Sequence, residues 1–344
     1  MAPRPAPAVQ HEVARYVVAR GTMPPGVPLV ERVLTGGVSG VVVLVRSPTA
    51  GVVVKRALSR LLVAGDWTAK PERALTEAAA LRVLQPLTPD SSPRVLDVDV
   101  DRLTFTMTAA PARWQSWREV LLHDVMDVDA LQRTASRLGT VLATWHRATW
   151  GDADLARRFD DHEAFEQLRL APFHAEVAAR HPALAATVLG CADELRRRRD
   201  CLVHGDFSPK NVLAGDGLWV LDMEVAHVGA AVFDLAFMQS HLMLKALHLP
   251  SRAAVLHEAA TALLQAYRRH QKDPAATARL SAHTACLLLA RVDGLSPATY
   301  LSPRTADRVR SLAVGVLTDS GDPAGHDLTP DELWQRVRAA AVDR

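Results

Sequence analysis

Three β-branched runs crowd the early part of the chain: VERVLTGGVSG from Val30, VVVLVR from Val41 and GVVVKR from Gly51. Gly, Ser and Pro separate them, the residues of tight connections, so they read as neighbouring strands of an antiparallel sheet. PERALTEAAALRVL follows, with Pro71 at its first turn and Leu75, Ala78, Ala79 and Leu81 at helical spacing. PRVLDVDV and RLTFTMT then supply two more strands, joined by a tight turn near Asp101. From Pro111 onward long helical patterns take over, with short strand-like pieces around 201–222. The expected fold class is therefore α+β with two unequal lobes: an irregular lead over 1–29, a β-rich lobe over 30–110 and a helical lobe over 111–344.

Composition narrows the partners. A formal charge of +2 over 344 residues gives no electrostatic reason to expect nucleic acid or a membrane surface. Three cysteines without metal-ligand spacing read as reduced thiols. The opening MAPRPAPAVQ has no apolar signal-peptide core, and no run approaches the ~20 apolar residues that span a bilayer. A cytoplasmic protein with a small-molecule partner is expected; a homodimer is allowed but not indicated.

The stretch HGDFSPKNVL, from His204, carries the chemistry. Asp206 can take a proton from a substrate hydroxyl, and Asn211, five positions on, can ligate a divalent metal without adding charge. LWVLDMEVA supplies Asp222 and Glu224, which at strand period would face one side and share a Mg²⁺ with Asn211. Lys55 stands near the end of an apolar strand as a phosphate anchor, with Glu77 on the next helix as its counter-charge. Gly36, Gly37, Ser39 and Gly40 can bring backbone N–H groups close to phosphates. Lys on a strand, Glu on a helix, Asp and Asn on a loop, then Asp after a strand form the ordered parts of a kinase that uses ATP and Mg²⁺.

His204 to Asn211 has the form H-G-D-x-x-x-x-N, and here the chain resembles the aminoglycoside phosphotransferase and choline kinase superfamily, of protein-kinase-like fold, over nearly its whole length. The resemblance implies Asp206 as base, Asn211 and Asp222 as Mg²⁺ ligands, and Asp234 in FDLA as a brace of the catalytic loop. It also implies that Met107 and Thr108 occupy the hinge where backbone groups meet adenine. KRALS from Lys55, AGDWTAKPERA from Ala64 and LDMEVAHVG from Leu221 resemble the methylthioribose kinase branch more closely. The expected acceptor is then a hydroxyl of a methylthioribose-like sugar, with an aminoglycoside as the alternative. A nucleotide-binding pseudokinase scaffold is the alternative of another class, though every catalytic position it would lack is present. Gly after His204, and the short interval from Asp222 to Phe233, separate the chain from protein kinases.

Other features have plainer readings. RRRRD at 196–200 fits the last turn of a helix, where cations complement the dipole. DVDVD at 97–101 alternates with valines as a hairpin does, and His204 reads as structural. FDDHEAFE from Phe159 would suit a cationic aminoglycoside if it faced the site. Arg291, on a helix entering Gly294 and Pro297, is either a grip on the acceptor or a salt-bridged structural arginine.

Overall fold

The computed structural model describes residues 7–34, 40–58, 70–123, 127–321 and 328–342. Gly36, Gly37, Ser39 and most of AGDWTAKPERA lie outside them. The early β-branched runs form β1 (Val30–Leu34), β2 (Gly40–Arg46) and β3 (Gly51–Ala57), and the hairpin forms β4 (Val95–Asp99) and β5 (Thr104–Thr108). All pairings are antiparallel in the order β1-β2-β3-β5-β4.

The sheet is buried on both faces. Leu44, Val53, Phe105 and Met107 point into the main core, whereas Val43, Val45, Val52 and Val54 form a second cluster with Val17 and Met23. This corrects the irregular lead: residues 7–19 are a helix, α1 (Pro7–Ala19), which with the turn after it covers the outer face. Unbroken runs such as VVVLV, rather than clean alternation, are what a doubly covered strand requires. On the inner face packs α2 (Arg73–Leu84), burying Arg73, Ala74, Glu77, Ala78, Leu81 and Leu84.

The second lobe begins with β6 (Gln115–Ser116), α3 (Trp117–Leu122) and α4 (Val128–Ala148). Gly139 of α4 abuts the helix Ala253–His270 so closely that a Cβ there would stand 2.1 Å from the Leu263 carbonyl oxygen. Short strands β7 (Cys201–Val203), β8 (Val212–Ala214), β9 (Leu218–Val220) and β10 (His227–Gly229) frame the loop from His204 against the buried helix Val232–His248. RRRRD closes the helix Ala185–Arg197, with Arg196 paired to Glu166 and Asp193 and Arg198 to Glu194 and Asp200. Cys191, Cys201 and Cys286 are buried and unpaired. Among the described residues no helix is long and apolar enough to cross a membrane.

Candidate active site

Strand parity aims Lys55 at the second lobe's loops. It shares its face of β3 with Val53 and pairs across the sheet with Phe105, so its side chain meets α2, where Glu77 Oε2 is 2.5 Å from Nζ. Nζ also pairs with Asp222 Oδ1, joining the lobes through one 5% exposed ammonium. Burial pushes the Lys55 pKa down, but Asp222 and Glu77 outweigh it and hold the group charged. Glu77 is pushed up to about 7 by burial, with Lys55 opposing and Asp222 adding to the rise.

The loop from His204 is fastened from beneath. Asp234, fully buried, accepts from the His204 N–H (2.7 Å) and the Gly205 N–H (2.9 Å), and its Oδ2 lies 3.2 Å from His146 Nε2. His146 Nδ1 meets Tyr267 Oη at 2.8 Å. Gly205 has φ +74°, and a Cβ there would stand 2.6 Å from the Val225 carbonyl oxygen, which only glycine avoids. His204 Nδ1 accepts from the Asp206 N–H (3.1 Å) while Nε2 donates to the Leu221 carbonyl (2.9 Å), so this histidine sets backbone.

Asp206 is 3% exposed and surrounded by donors. Arg169 Nη2 lies 3.1 Å from Oδ1; Lys210 Nζ and Asn211 Nδ2 each lie 2.8 Å from Oδ2. Burial would raise this carboxyl, yet Arg169 and Lys210 hold it below the usual range. Asn211 Nδ2 also donates to the Asp206 carbonyl (3.0 Å), leaving Oδ1 as the acceptor not engaged by the described residues. Asp222 is likewise held low: burial raises it and the ammonium of Lys55 prevails.

Two expectations need correction. Asp222 and Glu224 do not alternate on a strand: β9 ends at Val220 and Asp222 has φ +69°, a turn conformation in which period two does not apply. Glu224 Oε2 instead accepts from Arg73 Nε at 3.1 Å, and Arg73 also donates to the Lys70 (2.8 Å) and Leu58 (2.7 Å) carbonyls. Met107 and Thr108 also belong to the sheet and not to a free hinge. Met107 pairs with Val53 and Val95, and the Thr108 N–H donates to the Arg94 carbonyl at 3.0 Å. Gly40, the one described member of the glycine turn, begins β2 opposite Ala57.

Arg291 has no carboxylate partner among the described residues; Nη1 donates to the Ser296 carbonyl and to Ser296 Oγ (2.9 Å), while neighbouring Asp293 pairs with Arg310 (2.7 Å) and His181 (2.8 Å). Within FDDHEAFE, Asp161 and Glu163 lie against Lys70 and Glu166 pairs with Arg196. Arg73, Arg169 and Lys210 were missed in the sequence. Lys210, four positions from Asp206, and Arg73, four from Glu77, carried a spacing signal; Arg169, in a π-helical turn over Glu166–Ala175, carried none.

The profile of the phosphotransferase enzyme family, APH, matches residues 30–283. The chain belongs to that family. This phosphotransferase acts on small molecules at a hydroxyl group. No curated protein matches it. Among solved structures, a Ralstonia eutropha JMP134 protein assigned as an aminoglycoside phosphotransferase aligns with TM-score 0.54 at 15% identity, over 96% of this chain and 98% of its own, and shares the fold. The streptomycin–ATP complex of APH(2″)-IIa aligns at 0.48 with 13% identity, over 92% of this phosphotransferase and 97% of its own chain. A microcompartment-associated aminopropanol kinase aligns at 0.49 with 17% identity, over 90% and 96%.

Proposed function

We propose that this phosphotransferase moves the γ-phosphoryl group of ATP to a hydroxyl of a small sugar-like acceptor, with Asp206 receiving the hydroxyl proton. The observation that carries the reading is the convergence of two contacting pairs, Lys55 with Asp222 and Asn211 with Asp206, drawn from β3 and two loops, with the Asp222 charge felt at Asp206. In the transfer the acceptor oxygen forms a bond to Pγ. The bond from Pγ to its bridging oxygen breaks, and ADP leaves with that electron pair.

Lys55, held charged and placed by Glu77, anchors the phosphates, and Lys210, half-exposed beside Asp206, can exchange its carboxylate for the incoming γ-phosphate. The base would rest beyond β5, on the segment after Thr108. Among the described residues no group of three or more His, Cys, Asp or Glu is arranged for a metal. The hard oxygens Asn211 Oδ1 and Asp222 Oδ2 nevertheless fit Mg²⁺, which completes its shell with phosphates and water. Mg²⁺ held there would offset phosphate charge during transfer. Glu224, engaged by Arg73, would support that loop rather than ligate.

A methylthioribose-like pentose remains the acceptor that KRALS and LDMEVAHVG favour, with an aminoglycoside as the alternative; in the acidic stretch that would suit the latter, Glu163 pairs with Lys70 and Glu166 with Arg196. Asp206→Asn should leave Mg-ATP binding by calorimetry nearly unchanged while turnover falls by roughly 10²–10⁴, the span of a lost general base. Full turnover in that variant would remove Asp206 from the mechanism.

A further inference from the structure

Among the described residues the other buried cations come with acids: Lys55 with Glu77 and Asp222, Arg73 with Glu224, Arg169 with Asp206. Lys245 breaks the pattern. It is 1% exposed on the helix Val232–His248, and its Nζ makes one hydrogen bond among the described residues, to the carbonyl of His241 on its own helix (3.2 Å). The Tyr300 ring lies 6.0 Å from Nζ. Two further donors nearby, Arg291 Nε and Tyr300 Oη, are buried without an acceptor. A desolvated ammonium without a counter-ion is strongly unfavourable, as is a buried donor without a partner. Three such groups together form a site that lacks a negative charge.

The cluster adjoins the catalytic loop. Arg169, paired with Asp206, lies over Phe237 at 5.4 Å; the Phe237 and His241 rings are tilted with centroids 5.1 Å apart; and the His241 carbonyl holds Lys245. Electrostatics agree with the geometry: burial pushes Lys245 down to about 7, and the charges that add to this, Arg118 and Arg291, are both positive. Arg291 in turn feels the Asp206 carboxylate.

We propose that the acceptor carries an oxyanion, a carboxylate or a phosphate, which Lys245, Arg291 and Tyr300 bind while its hydroxyl lies at Asp206. This rests on the placement of the acceptor given above, and it narrows the substrate class. A polycationic aminoglycoside would meet repulsion there, and a methylthioribose-like pentose without a charge would leave the donors unmet, so the sugar-like acceptor of the reading above is confined to an anionic one.

The test uses the full chain in two arms. In the first, ADP release is followed with matched acceptors: a sugar acid against its methyl ester, a sugar phosphate against the free sugar, and aminoglycosides. The oxyanion member should lead its neutral partner in kcat/KM by about a hundredfold or more, and Lys245→Met should bring that preference near parity. Neutral sugars or aminoglycosides turned over best, with Lys245→Met indifferent, would overturn the proposal. The second arm needs no turnover: with Mg²⁺ and a non-hydrolysable ATP analogue filling the phosphate site, sulfate should raise the melting temperature of the wild type and of Asp206→Asn, but not of Lys245→Met. Arg291→Lys should give a reduced shift. Equal sulfate shifts in wild type and Lys245→Met would refute the anion site whatever the fate of Asp206, whereas full activity of Asp206→Asn with the sulfate pattern intact would refute only the base.

Discussion

Replacing Asp234 with Asn changes one oxygen to an amide without altering shape, and so isolates what the buried carboxylate does. It accepts from the His204 N–H at 2.7 Å through Oδ2 and from the Gly205 N–H at 2.9 Å through Oδ1, and it faces His146. Asparagine retains a single acceptor oxygen, so one of those N–H donors must face an NH₂ group. A buried donor left unsatisfied costs about 1–3 kcal/mol, and the surviving bond loses the charge that makes such bonds worth about 1.5–3 kcal/mol. The expected loss is about 3 kcal/mol. An unfolding entropy of about 2.1 cal/mol/K per residue over 344 residues gives about 0.7 kcal/mol/K, so the melting temperature should fall by about 4 °C. Activity should fall further than stability, because Asp206 hangs from this same loop through the His204 ring, and a misplacement of about 1 Å can cost a hundredfold. Differential scanning fluorimetry and kcat at saturating ATP measure the two effects. A variant with unchanged melting temperature and kcat would show that Asp234 does not hold the loop.

Gly205→Ala should be worse than a surface change by about 2 kcal/mol or more, since it combines φ +74° with a Cβ 2.6 Å from the Val225 carbonyl; normal urea stability would refute the strain argument. Glu194 is pulled down to about 2 by its bond to His283, against burial, with Arg198 and Arg279 assisting. A depressed carboxylate stabilises the fold fully above its unfolded value of 4.5 and loses that contribution as pH falls toward the folded value. Wild type should therefore exceed Glu194→Gln by on the order of 1–2 kcal/mol at pH 6, after allowance for solvent screening, and the gap should narrow by pH 3. A gap independent of pH in urea titrations would count against the ion cluster.

The order of the candidate site residues is legible because each residue's neighbours constrain its backbone. Runs of valine make β3 a strand, strand parity orients Lys55, and Asp206 and Asn211 share one loop whose glycine is sterically required. Legibility failed where backbone conformation departs from its local pattern. Asp222 follows a strand but sits in a left-handed turn, so counting by twos puts Glu224 on the same side as Asp222, whereas it lies against Arg73. Met107 and Thr108, read as a hinge, are strand residues because β5 continues its pairing through them. Arg169 reaches Asp206 from a π-helical turn, a geometry without a familiar sequence period, and Lys245 is unreadable in a helix that is apolar nearly all round. The helix α1 hides behind an alanine- and proline-rich opening, though the need for it was written in the strands it covers.

The family match starts at Val30, yet Val43, Val45, Val52 and Val54 find their cover upstream, in Val17 and Met23. A truncation made at the edge of the recognisable domain would expose a bare valine sheet. Such a fragment retains every residue around Lys55 and Asp206 and would still be prone to associate through that face, so low yield from it would report on a missing roof rather than on a faulty catalyst.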